Sequence, residues 1–189
     1  CAFRSNVGLS AEKSNTNVSY VGISDFYTDY SPGAFKQTNG TLDLALDGKG
    51  YLAVSTQEGD RYTRNGNLRL NTKNQLVNQK GQTIQDTQGN PIVIDVPGGD
   101  ISIDQQGNLS AGNGVNNLVI GKLKIVDFEN PKTLKKLGEG LFQQTDPNAE
   151  IKQVKETTIS QGYLENSNVS TVEEMTDMLA TLRLFETYQ

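Results

Sequence analysis

From Leu42 onward, apolar positions recur every second residue in short runs that glycine, proline and asparagine interrupt. Leu42, Leu44 and Leu46 alternate with Asp43, Ala45 and Asp47, which puts the leucines on one face of a pleated strand. Gly48-Lys49-Gly50 reads as a hairpin turn into a second strand, Tyr51-Leu52-Ala53-Val54. Within residues 61–70, Asn65-Gly66 is the dipeptide favoured in two-residue hairpin turns, where both central positions need positive φ. Further short strands are predicted at residues 75–77, 92–95, 101–104 and 108–110. Gly81, Gly89-Asn90-Pro91, Pro97-Gly98-Gly99 and Gln106-Gly107 punctuate them. Residues 118–128 read as one longer strand, with Val119, Gly121, Leu123 and Ile125 set against Lys122 and Lys124. Residues 131–137 suit a single helical turn stopped by Gly138.

The period changes at the end of the chain. Ser170-Thr171-Val172-Glu173 reads as a capping box that opens a helix over residues 170–189. Val172, Met175, Leu179 and Leu182 then follow at alternating steps of three and four, the spacing of a coiled-coil seam. Met178 and Phe185 widen the stripe beyond what a strict dimer needs. Nothing upstream offers this seam an evident helical mate, so it predicts a helix made to pair with a partner. The alternative is that it packs back on its own β body.

Together these patterns predict a mainly β fold: an antiparallel barrel- or sandwich-like body, extended flanking segments and one C-terminal α-helix. The expected division is an extended lead-in over residues 1–40, a β body over 41–145, an extended return over 146–168 and the helix over 169–189. Composition agrees with many short strands and turns. Hydrophobic residues are only 34% of the 189, and 19 are glycine. The formal charge of −5, without long runs, leaves no basic face for a phosphate backbone, so no nucleic-acid partner is expected. No apolar stretch has the length to span a bilayer, so no membrane insertion is expected. The single cysteine, Cys1, rules out an internal disulfide, and Ala2-Phe3-Arg4 is unlike the polar tether of a lipid anchor.

Candidate chemistry is thin. There is no histidine, which excludes His-based triads. Asp43 and Asp47 share a strand face about 13 Å apart. That is wider than the roughly 6.5–9.5 Å of an inverting glycosidase pair. Asp100, Asp104, Gly107 and Asn108 lack the ligand alternation and closing glutamate of a calcium loop, so a turn is the better reading. Tyr51, Tyr62 and Phe142 read as core aromatics, with a glycan-binding stripe as the alternative. No catalytic residue, metal, cofactor or small-molecule substrate is expected.

Three ordered motifs carry a resemblance. Thr28-Asp29-Tyr30-Ser31-Pro32-Gly33-Ala34-Phe35-Lys36-Gln37-Thr38, continuing through Leu42 to Val54, resembles the core motif of bacterial flagellar rod and hook proteins. Tyr62-Thr63-Arg64-Asn65-Gly66-Asn67 with Gln75-Leu76-Val77 is similar to the next, and Gln161-Gly162-Tyr163-Leu164-Glu165-Asn166-Ser167-Asn168-Val169 with Glu173-Glu174-Met175 to the last. Thr38-Asn39-Gly40 departs from the family's usual Thr-Gly-Asn, and Asn74 stands where a turn glycine is usual. Both exchanges are mild, because asparagine tolerates left-handed geometry best after glycine.

The resemblance implies a structural subunit of the flagellar basal-body rod, an axial tube that transmits torque. The Thr28-Asp29-Tyr30 entry, the Ile120-Gly121-Lys122-Leu123 strand and the short return over 144–160 look more like the proximal rod subunit, and Gln161-Gly162-Tyr163-Leu164 and Val172-Glu173-Glu174-Met175 more like the distal one. The proximal reading is favoured, and a non-catalytic glycan-binding module stands as the rival from another class. It also implies partners, namely other rod and hook subunits and further copies of this chain. These would pair with the helix through Val172, Met175, Met178, Leu179, Leu182 and Phe185. An N-terminal helix before Ala2 and a few residues after Gln189 are implied as well. So are a place in the periplasm-spanning rod and export through the flagellar secretion channel without a cleaved signal.

Overall fold

The computed structural model describes residues 9–12, 20–23, 31–95, 99–112, 117–146, 151–154 and 157–187. Cys1, Ala2-Phe3-Arg4, Thr28-Asp29-Tyr30 and Pro97-Gly98 lie outside them. The chain forms two compact units, residues 1–33 with 167–189, and residues 34–166. In the first unit, strands β1 (Leu9–Glu12) and β2 (Tyr20–Ile23) pair antiparallel.

The second unit begins with β3 (Phe35–Gln37), β4 (Leu44–Asp47), β5 (Tyr51–Thr56), β6 (Gly59–Thr63) and β7 (Leu68–Leu70). Next come β8 (Leu76–Asn78), β9 (Thr83–Ile84), β10 (Asp100–Ile103), β11 (Asn108–Gly112) and β12 (Asn117–Lys122). Then follow β13 (Ile125–Phe128), β14 (Leu134–Gly138), β15 (Leu141–Gln144), β16 (Ile151–Gln153), β17 (Thr158–Gln161) and β18 (Tyr163–Glu165). The one helix among the described residues is α1 (Thr171–Thr187), in the first unit.

The main sheet runs β14-β15-β6-β5-β9-β8-β7, with β13 on β5 and β16 on β13. A three-stranded sheet, β10-β11-β12, and two strand pairs, β17-β4 and β18-β3, complete the second unit. Every ladder is antiparallel. Mainly β is therefore the fold class, but no ring of strands closes among the described residues, so the barrel form is set aside. One apolar core joins β4, β5, β8, β9, β11 and β17, with Leu44, Leu46, Leu52, Val54, Leu76, Ile84 and Leu109 shut away from solvent.

Several local readings change. Ala45 is as buried as Leu44 and Leu46, because β17 covers β4 along one edge and the fold covers both its faces. Gly48-Lys49-Gly50 is a tight corner and not a hairpin, since β4 pairs with β17 while β5 pairs with β6, β9 and β13. Asn65-Gly66 does not form a hairpin either. β6 and β7 are unpaired with each other, and neither residue has positive φ. Asn65 Oδ1 instead accepts the Asn67 amide, and the chain crosses β4, with the Leu44 amide donating to Gly66 O at 3.0 Å. A Cβ at Gly66 would lie 1.9 Å from Leu44 O, so this glycine serves a close crossing of backbones.

The two-residue turn with positive φ at both centres occurs at Glu139 (φ 54°) and Gly140 (φ 77°), between β14 and β15. The predicted strand over 118–128 is two strands in different sheets, broken at Leu123-Lys124, and residues 92–95 make only an isolated bridge at Val93. The helical turn predicted over 131–137 is a 3₁₀ turn of Pro131–Thr133 that gives way to β14.

Candidate assembly interface

α1 starts where its sequence signals place it. The Ser170 carbonyl accepts the Glu174 amide at 3.1 Å, making Ser170 the cap residue, while the Glu173 side chain lies outside what is described. Thr176, Thr181 and Thr187 turn their hydroxyls back onto the carbonyls of Val172, Asp177 and Arg183. These hydroxyls are thus satisfied within the helix itself.

At about 100° per residue, Val172, Met175, Met178, Leu179, Leu182 and Phe185 fall within an arc of roughly 140°. Each is more than half exposed, from 51% at Leu182 to 74% at Val172. Leu184, equally exposed, projects outside this arc and was not part of the predicted stripe. A stripe of this width exceeds the narrow seam of a two-stranded coil and suits a helix with neighbours on more than one side. Chemically it offers burial and nothing else.

Within the second unit, parts of the three sequence motifs meet. The Gly162 amide donates to Asp43 O, and Gly162 O accepts the amides of Thr38 and Asn39. Thr38 Oγ1 donates to Asp43 Oδ2 at 2.6 Å, which fixes the loop between β3 and β4. Asn39 (φ 58°) and Asn74 (φ 55°) are both left-handed, as their replacement of turn glycines requires. Arg64, read from sequence only as a motif letter, is almost fully buried. Its Nε meets Glu165 Oε2 at 3.0 Å, and its other nitrogens donate to the carbonyls of Leu46, Gly48 and Gly50. A planar fork with donors on several sides meets these acceptors as a lysine cannot. Alternation gave no signal for this residue, since a charged side chain in a turn reads as exposed.

The candidate chemistry resolves into structure. Tyr51, Tyr62 and Phe142 are buried, and Phe128 joins them in edge-to-face contacts with centroids 4.8–5.8 Å apart, so these rings are core aromatics and do not form a solvent-facing stripe for a glycan. Burial and the nearby Asp60 charge push the Tyr62 phenol above its ordinary value, so it stays neutral. Asp104 holds the β10–β11 turn, accepting from the amides of Gln106 and Asn108 and from Asn108 Nδ2. Burial alone raises its carboxyl. The Asn108 and Gln106 hydrogen bonds and the charge of Lys122 outweigh that and hold it below the usual carboxylate range. Asp43 is engaged by Thr38, while Asp47 is exposed at the end of β4.

Comparison with known proteins follows the same motifs. Residues 45–111 match the flagellar hook protein FlgE/F/G D1 domain, and residues 160–189 match the C-terminal region of flagellar basal body rod FlgEFG proteins. The flagellar basal-body rod protein FlgF of Caulobacter vibrioides is 32% identical over 158 residues, covering 84% of this chain and 62% of the relative. FlgF of Salmonella typhimurium is 36% identical over 168 residues, covering 84% and 65%. The flagellar basal-body rod protein FlgG of Agrobacterium fabrum is 30% identical over 191 residues, covering 97% and 71%. The chain thus spans a little under two thirds of the FlgF relatives' length. With its motifs in family order and its matches at both the body and the terminal helix, the chain belongs to the flagellar basal-body rod protein family.

Proposed function

We propose that this chain is a structural subunit of the bacterial flagellar rod, without catalytic activity. In this reading it joins other rod and hook subunits, and further copies of itself, through α1. The observation that carries it is the apolar stripe of Val172, Met175, Met178, Leu179, Leu182 and Phe185, exposed on a helix whose Thr176, Thr181 and Thr187 hydroxyls are satisfied internally. Such a helix is stabilised when its stripe is covered, because each large apolar side chain taken from water contributes about 1.5–3 kcal/mol. Contacts of one surface with a different surface on the next subunit generate open helical tubes. The helix would form the inner layer of the axial tube and the β body its outer layer. The Ile120-Gly121-Lys122-Leu123 wording supports the proximal position over the distal one.

The test is to extend the chain at its N-terminus with the helix that the family resemblance implies, then follow assembly by sedimentation and negative-stain microscopy. Rods or large oligomers that Leu182→Asp abolishes support the reading. A monomer whose α1 amides are fully protected from hydrogen exchange overturns it.

A further inference from the structure

The second unit receives and releases the chain through one narrow ladder. β3 and β18 pair over three residues, and beyond them the Asn166 amide donates to Ala34 O at 2.9 Å. All of β3 is exposed, and a two-stranded ribbon this short is marginal on its own. Load carried by residues 34 and 166 would open it as a zipper, one bond at a time, starting at Asn166.

What opposes this is a charge at the outer end. Glu165, the last residue of β18, keeps its side chain only 4% exposed, although its cross-strand neighbour Phe35 is 41% exposed. The Glu165 carboxylate is held by Arg64, and Arg64 is held by the carbonyls of Leu46, Gly48 and Gly50 at 3.0–3.1 Å. Those carbonyls belong to the end of β4 and the corner that leads into β5, whose strands lie in the core. The guanidinium is planar, so it cannot follow a departing Glu165 without leaving its carbonyl partners. Separating the pair would cost two buried charges their ionic partner. The inner end is fixed by Gly162, whose carbonyl accepts the Thr38 and Asn39 amides.

We propose that the Arg64–Glu165 pair is a clamp that makes the β3–β18 neck open only when the body unfolds, so that load entering by either strand is shared by the whole second unit. The load-sharing purpose rests on the reading of this chain as a rod subunit; the clamp itself does not. Arg64 and Glu165 are then positioning residues, and their contribution is cooperativity in addition to stability.

Native-state hydrogen exchange on the full chain tests this through two amides, that of Asn166 at the neck and that of Ala53, which donates to Lys124 O in the core. With the clamp intact, both exchange through the same global opening and respond alike to added urea. In Glu165→Gln, the Asn166 amide exchanges at least tenfold faster relative to Ala53 and loses its urea dependence. Arg64→Lys, which keeps the charge and loses the fork, shifts the ratio the same way. Val54→Ala, a core truncation, speeds both amides equally. A neck amide that already exchanges locally in the unaltered chain, or a ratio unmoved in both neck variants, overturns the clamp. Failure of the extended chain to form rods would instead count against the rod reading and leave these ratios where they are.

Discussion

Gly66→Ala separates two explanations of one glycine. If Asn65-Gly66 were a hairpin turn, alanine would meet left-handed strain of about 1–2 kcal/mol and nothing else. The structure gives a different source of strain. A Cβ at residue 66 lies 1.9 Å from Leu44 O and 2.7 Å from Leu44 C, both backbone atoms of a fully buried residue. No side-chain rotation relieves this, so the crossing must widen by more than 1 Å to reach ordinary contact. That displacement breaks the 3.0 Å bond from the Leu44 amide to Gly66 O and leaves a buried donor unpaired, at about 1–3 kcal/mol. Disturbing the packing of β4 against the core adds about 1–3 kcal/mol. Alanine also lowers the entropy of the unfolded chain, which returns about 0.4–1 kcal/mol, and no left-handed strain is added because φ at Gly66 is not positive. The net loss is therefore about 1–5.6 kcal/mol, at its upper end a large share of a typical 5–15 kcal/mol stability. Urea unfolding should show a lowered midpoint. Gly81→Ala serves as the control, since its φ is 81° and no atom lies within 4 Å of its Cβ, so the left-handed penalty and the same unfolded-chain return are all that apply. A Gly66→Ala loss equal to or below that of Gly81→Ala would refute the close-crossing argument.

Other outcomes follow from the same geometry. Leu182→Asp, on a residue 51% exposed, should change the stability of the isolated chain by no more than about 0.5 kcal/mol while abolishing assembly of the extended chain. A large loss of stability without any change in assembly would show the stripe to be internal core. Phe142→Ala removes a side chain 1% exposed and in edge-to-face contact with Tyr51, so urea unfolding should register a loss of about 3–5 kcal/mol. For Asp104, the folded-state pKa lies below the unfolded one. Its contribution is complete above the ordinary carboxylate value of about 3.9 and is lost as pH falls through the lowered value. A carboxyl NMR titration should put its midpoint below that of the same residue in an unfolded peptide, and a midpoint at or above the peptide's would contradict the turn bonds.

What the residues encode locally was legible along the chain. The terminal helix, its cap at Ser170 and its stripe follow from spacing, because a 3.6-residue period needs no knowledge of neighbours. Asn39 and Asn74, standing where the family pattern has turn glycines, point to left-handed backbone, and the β10–β11 hairpin is marked by Asp104 and Gly107, with Ile101 and Ile103 before the turn and Leu109 after it. The three motifs also marked the residues that meet in space, although not how they meet.

Only the tertiary structure decided which strand lies beside which. Residues 118–128 alternate as one strand, yet β12 and β13 lie in different sheets. Backbone amides and carbonyls are the same at every position, so alternation records a face and not a partner. For the same reason Gly66 was misread, since a glycine needed for positive φ and one needed for a close crossing look identical in sequence. Glu139 shows the converse, a left-handed residue whose chemistry gives no warning. Arg64 was hidden because its partners are mostly carbonyls, brought together by strands distant in the chain. The sequence by itself determined the periods, the turn chemistry and the family; the fold determined the pairings and the buried ion pair, because those depend on contacts between residues far apart along the chain.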